Sequence, residues 1–237
     1  LSSCRNALGE ADLAAVLWTK IVMKMSNSGR GVRVVSKDTD HAMLQTFHFW
    51  EQLLLKKGDP QRARIVWDND EDIQLPLHGF ASSLAIGGYA RDTLVCVGIL
   101  SKCDYYDKNL ATNMVGHEDL YRGVQNFMGH RRITKQTDTL AQFKCFREML
   151  WHIYAFKLKC KPTLESLSAA KVPKKMTLLL TEAEMWVPYV KFKLAYAYFT
   201  AFASWRPVID DAELAKISTS NDAELVIKRM QNLCLVL

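Results

Sequence analysis

The sequence predicts an α/β front half, in which strands alternate with helices, followed by an all-helical back half. Three observations carry that expectation. Two short β-branched runs, "VRVVS" (32–36) and "RIVW" (64–67), flank a segment whose apolar residues keep helical spacing. Alternation of this kind predicts a parallel sheet flanked by helices. Beyond residue 105 no strand is expected, and aromatic residues recur at helical intervals instead.

Taken in order, Leu13, Val16, Leu17, Ile21 and Met25 line one face of a helix from Glu10 to Met25, which "SNSG" ends. "VRVVS" then reads as a strand buried on both faces. From Asp40 through Lys57 a helix is expected on Met43, Leu44, Phe47, Trp50, Leu53 and Leu54, closed by "KKGDP". "RIVW" is the second strand, and "DNDED" after it reads as a surface turn. "LHGFASSLAI" predicts a helix stopped by Gly87 and Gly88, and another spans Asp92 to Lys102. Further helices are expected in "TLAQFKCFREMLWHIYAFKLK", in "TEAEMWVPYVKFKLAYAYFTAFASW" and in "NDAELVIKRMQNLCLVL", the last capped by Asn221 or Asp222. Their Tyr, Phe and Trp residues are assigned to packing core, because aromatics dominate burial energetics. Two strands are too few for a parallel sheet, so one or more N-terminal strands are expected ahead of Leu1. The domain organisation read this way is an α/β core over 1–110 and a helical region over 111–237.

Composition narrows the function classes. The 237 residues are 49% hydrophobic and 24% charged, a globular balance. No apolar run approaches the roughly 20 residues that cross a bilayer, so no membrane partner is expected. The formal charge of +6 permits a nucleic-acid partner without requiring one. Basic residues cluster in "GHRRITK", "KLKCK" and "KVPKK", and each cluster alone reads as solvated surface. The six cysteines lack C-x-x-C spacing, which argues against zinc and against a disulfide scaffold. An intracellular, reducing compartment is therefore expected, and the nucleus is one that fits.

Acidic residues carry the chemistry. Asp38 and Asp40 stand two apart in the turn after "VRVVS", at the strand end where ligands gather in open parallel sheets. Such a pair selects Mg²⁺ or Mn²⁺ through hard oxygen ligands. The alternative is structural: Asp40 caps the following helix and Asp38 forms the turn. Glu10 and Asp12, in "GEAD", stand at a helix start. Asp104, in "VGILSKCDYYDKN", stands at a helix end, where the dipole disfavours a negative charge and a cation would compensate it.

Taken together, "GEAD", "SKDTD" after a strand and "DTLVCVGILSKCDYYDKNL" resemble the metal-binding half of the flap-endonuclease type of structure-specific 5′ nucleases, within the PIN-like nuclease superfamily. The resemblance covers residues 8 to 110. It implies a PIN-like parallel sheet with Glu10, Asp12, Asp38, Asp40 and Asp104 as metal ligands. It further implies two Mg²⁺ or Mn²⁺ ions, phosphodiester hydrolysis on DNA in preference to RNA, and Asp38, Asp40 and Asp104 at the catalytic centre. The family's first strand and basic helical arch precede "GEA"; neither is present, so an upstream or partner segment is expected to supply them. Lys102 stands where the family carries Gly. The alternative function is a catalytically inactive PIN-like scaffold in a nucleoprotein assembly, with Lys102 neutralising Asp104. A haloacid-dehalogenase-like phosphatase ranks below both, since Ala42 occupies the position where that loop wants Thr or Val.

Overall fold

The computed structural model describes residues 11–25, 31–71, 73–101, 103, 106–130 and 139–200. They form two compact units, one within Leu1–Gly87 and the other within Gly88–Ala201. The architecture is α/β, with one small mixed sheet and mostly helices.

In the first unit the order is α1 (Ala11–Met25), β1 (Val32–Val35), α2 (Thr39–His48), α3 (Trp50–Leu53), β2 (Ile65–Asp68), β3 (Gln74–Pro76) and α4 (Leu77–Ile86). Helix α1 forms where the periodicity places it, with Leu13, Val16, Leu17 and Ile21 all buried. It packs on α2 and β1, while α4 covers α2, α3, β2 and β3. The helix expected from Asp40 to Lys57 breaks at Phe49, whose φ of −112° and ψ of 15° leave the helical region. Phe49 and Trp50, at the break, are both buried.

The sheet has the order β1-β2-β3. β1 and β2 run parallel, with Val32 beside Ile65 and Val35 beside Asp68. β3 returns antiparallel, with Leu75 opposite Trp67. The expected all-parallel sheet is thus a mixed one. The return is made inside "DNDED": Asn69 Oδ1 accepts from the N–H groups of Glu71 (3.0 Å) and Ile73 (2.9 Å), and Asp70 takes a left-handed φ of 62°. β3 carries Gln74 and Pro76 and has no β-branched run to announce it. A second correction concerns β1, which is an edge strand and is not buried on both faces. Val34 is buried while Val35 is half exposed.

The second unit contains α5 (Arg91–Ser101), α6 (His117–His130), α7 (Thr139–Leu158), α8 (Leu164–Ser168) and α9 (Glu182–Thr200), with a short 3₁₀ turn at Lys108–Leu110. Helix α6 has no counterpart in the sequence analysis. Its signal is Leu120, Tyr121, Val124 and Phe127, all buried on one face at helical spacing. It packs against both α5 and α7. Much of the aromatic stripes is core, as expected: Phe143 meets Tyr189 edge-on, Phe146 meets Phe192, and Phe199 is buried, whereas Phe156 and Trp186 are exposed. The fully buried Tyr154 hydroxyl donates to the Ala111 carbonyl at 2.7 Å. No single helix among the described residues is long and apolar enough to cross a membrane. The helix expected in "NDAELVIKRMQNLCLVL" lies outside the described residues.

Helix α6 approaches α7 closely because residue 123 has no side chain. A Cβ there would come within 2.8 Å of Ile153 N and Cγ1 and would strike its Cα as well. Backbone cannot yield as a flexible side chain does. Gly123→Ala is therefore expected to cost about 2–3 kcal/mol of overpacking, read as a lower urea midpoint with unchanged m-value.

Candidate functional site

The turn between β1 and α2 is built by its own polar side chains. Ser36 Oγ accepts from the Asp38 N–H at 3.1 Å, and Asp38 Oδ1 accepts from the Asp40 N–H at 2.9 Å. Asp38 is the N-cap of α2, in extended conformation with φ −84° and ψ 121°. Its side chain satisfies one of the orphan donors of the first turn, where Asp40 also meets the positive end of the helix dipole. The capping role falls to Asp38, where the sequence pointed to Asp40. Capping and ligation are not exclusive, because the cap uses one oxygen of an exposed carboxylate. Asp40 is half buried.

The carboxyl end of β2 holds a carboxylate that the sequence analysis assigned to a surface turn. Asp68 is buried at the end of this central strand. Its Oδ1 accepts from the Asp70 N–H at 2.8 Å, and its Oδ2 accepts from Arg33 Nε at 2.7 Å, with Arg33 Nη2 also on that oxygen. The Asp70 N–H chiefly, with the Arg33 guanidinium, holds the Asp68 carboxyl below the usual carboxylate range, against the opposing effect of burial. Around this pair lies a concavity of roughly 550 Å³ lined by Arg33, Asp68, Asp70, Glu71 and Gln74. Lys37 pairs with Glu71 across the surface at 3.2 Å. A signal was available: Asp68 follows a β-branched run much as Asp38 follows "VRVVS".

The opposite end of the two parallel strands is basic. A cleft of roughly 670 Å³ there is lined by Gly31, Lys57, Gly58, Arg62, Arg64, Ile65, Val66 and His78. Among the described residues no acidic side chain lines it.

The five sequence-predicted ligands divide as follows. Asp38 and Asp40 share one turn. Asp12 falls in the first turn of α1, with its side chain outside the described set, as are Glu10 and Asp104 entirely. The last turn of α5 is closed by Thr112, whose hydroxyl donates to the Leu100 carbonyl at 2.7 Å. Among the described residues no three His, Cys, Asp or Glu side chains form a metal-holding group. Asp38 and Asp40 fit a divalent ion in donor chemistry and in number, since Mg²⁺ takes one or two carboxylates and completes its shell with water and phosphate oxygens. Asp68 fits less well, because both its oxygens are engaged.

Among the described residues Cys96, Cys103, Cys145 and Cys160 form no disulfide. Burial pushes the Cys96 thiol far up, which makes it inert.

Comparison with family models, with curated proteins and with solved structures finds no match to this chain.

Asp68 makes stability depend on pH with a definite sign. Its folded pKa lies below the unfolded value, so its contribution is present at neutral pH. The contribution is lost as pH falls below the ordinary carboxylate range and through the folded pKa. Urea unfolding of the wild type and of Asp68→Asn is expected to differ at pH 7 and to converge on acidification. At the neighbouring turn, Asp38→Ala is expected to lose about 1 kcal/mol of stability, whereas Asp38→Asn preserves the cap.

Proposed function

We propose that the chain is a divalent-metal-dependent nuclease of the PIN-like, flap-endonuclease type, hydrolysing phosphodiesters in DNA in preference to RNA. The observation that carries this reading is the Asp38–Asp40 turn. Two carboxylates two residues apart follow a strand paired in parallel, and the Asp38 carboxylate is exposed. Asp38 and Asp40 would hold the ions, with Glu10, Asp12 and Asp104 completing the ligand set. Bound Mg²⁺ or Mn²⁺ would supply Lewis-acid chemistry for attack by water and departure of the 3′ oxygen. The Ser36 hydroxyl fixes the turn, and the Asp40 N–H anchors one Asp38 oxygen, so the Asp38 carboxylate is oriented before any ion arrives.

Two further features support a nucleic-acid partner. The cleft of Lys57, Arg62, Arg64 and His78 suits a phosphodiester backbone. β1 ends the three-stranded sheet, so its outer edge offers backbone groups to the upstream or partner strand that the resemblance implies.

A second reading is favoured by the employment these acids already have. Asp38 caps a helix and Asp68 is neutralised by Arg33, as in a catalytically inactive scaffold of a nucleoprotein assembly.

Cleavage separates the two. The full-length protein is expected to cut flapped or single-stranded DNA with Mg²⁺ or Mn²⁺. Asp38→Asn and Asp40→Asn should each reduce cleavage to the metal-free level with unchanged urea unfolding. Absence of cutting with either metal would select the scaffold. Lys57→Ala with Arg62→Ala should weaken single-stranded DNA binding and flatten the log K against log salt slope by about 1.4, at roughly 0.7 per lost phosphate contact.

A further inference from the structure

Helix α9 is apolar on two faces, and the described core uses one of them. Met185, Tyr189, Phe192, Ala195 and Phe199 are buried, and the helix packs on α5 and α7. A second stripe runs along the exposed side as Ala183, Val187, Val190, Leu194 and Ala197, alternately four and three residues apart. That is the spacing of a coiled-coil seam. Val187 is 55%, Val190 38% and Leu194 66% exposed, and Trp186 beside them is 50% exposed. Isolated exposed hydrophobics are ordinary; a continuous seam of them on one helix marks a surface that another molecule covers.

We propose that a second copy of this chain covers it, through an antiparallel pairing of the two α9 helices about a two-fold axis. The stripe is complementary to itself in that direction. When Val187 meets Val190 of the copy, Ala183 falls opposite Leu194 of the copy, a small residue facing a large one. Each of these layers occurs twice, as a two-fold interface requires.

The flanks of the seam set the direction. Glu184 and Lys191 follow seam residues on one side of the stripe, while Trp186 and Lys193 precede seam residues on the other. In an antiparallel pair like flanks face each other. Glu184 then meets Lys191 of the copy, and Trp186 meets Lys193 of the copy, a cation–π pairing. In a parallel pair opposite flanks face each other, and Glu184 gains no basic partner. Glu184 is also held in place as an anion, since it accepts from the N–H groups of Leu180 (3.1 Å) and Thr181 (3.0 Å) and from the Thr181 hydroxyl (2.8 Å). Charges beside an apolar seam choose orientation more than they add affinity.

Sedimentation of the full chain up to roughly 100 µM is expected to show a monomer–dimer equilibrium. Leu194→Glu should sediment as a monomer throughout with unchanged circular dichroism and urea midpoint. Lys191→Glu sets a carboxylate against Glu184 of the copy at two symmetric places and should weaken dimerisation about tenfold at low salt. Val187→Cys mixed with Val190→Cys should give a disulfide that peptide mass mapping assigns between positions 187 and 190. A wild type monomeric at every concentration overturns the proposal, as does a Leu194→Glu variant that still dimerises. A 187–187 disulfide in Val187→Cys alone overturns the antiparallel arrangement. A monomer that binds anionic phosphatidylserine vesicles, and loses that binding on Leu194→Glu, overturns the second copy in favour of a lipid surface.

Discussion

A buried carboxylate has to be paired, and the way Asp68 is paired organises the first unit. Asp68 ends the central strand β2 with almost no access to solvent. Its two oxygens are taken by different parts of the chain: one by the N–H of Asp70 just beyond it, the other by Arg33 from the neighbouring strand. The first contact starts the left-handed turn at Asp70 that sends β3 back antiparallel. The second ties β1 to β2 in the register that sets Val35 beside Asp68. With that register in place, Ser36 donates its N–H to the Asp68 carbonyl at 2.9 Å, and the turn carrying Asp38 and Asp40 begins at a fixed point. The candidate ligands are thus positioned by a neighbour that is poorly disposed to be one itself. Removing one partner of such a pair costs more than the pair contributes, because it strands the other charge away from water.

The second unit rests on apolar contact at close range. Gly123 lets α6 come near enough to α7 for backbone to meet backbone, and the aromatic side chains of α7 and α9 fill the space beyond. Two of the polar groups that this packing buries are answered individually, Tyr154 by the Ala111 carbonyl and Thr112 by the Leu100 carbonyl. Both bonds also satisfy carbonyls that the helix ends and connections would otherwise leave unpaired. Function, in the reading proposed, sits with the polar turns of the first unit. The association between copies proposed above would sit with the second unit, on the apolar stripe of α9 that the described core does not use.

Several features were legible along the chain because they depend on near neighbours. The apolar spacing of Leu13, Val16, Leu17 and Ile21 identified α1 before any packing was known. The β-branched runs located β1 and β2, and Gly87 and Gly88 marked the end of α4. A polar turn holding Asp38 and Asp40 was legible too, since its hydrogen bonds span only two residues each, although the cap is Asp38 and not Asp40. Helix α6 was overlooked although its apolar residues keep the helical period.

What the sequence by itself determined is therefore the position of most elements and the presence of an acidic turn after β1. Tertiary structure alone decided that β3 runs antiparallel, that β1 is an edge with Val35 half exposed, and that Asp68 is spoken for by Arg33, thirty-five residues away. It also decided which of the two apolar faces of α9 the core takes. The physical reason is common to all four. Periodicity records that a residue can be buried and local hydrogen bonding records how a turn closes, but the choice of partner is made between segments far apart in the chain, by register and packing that no single segment contains.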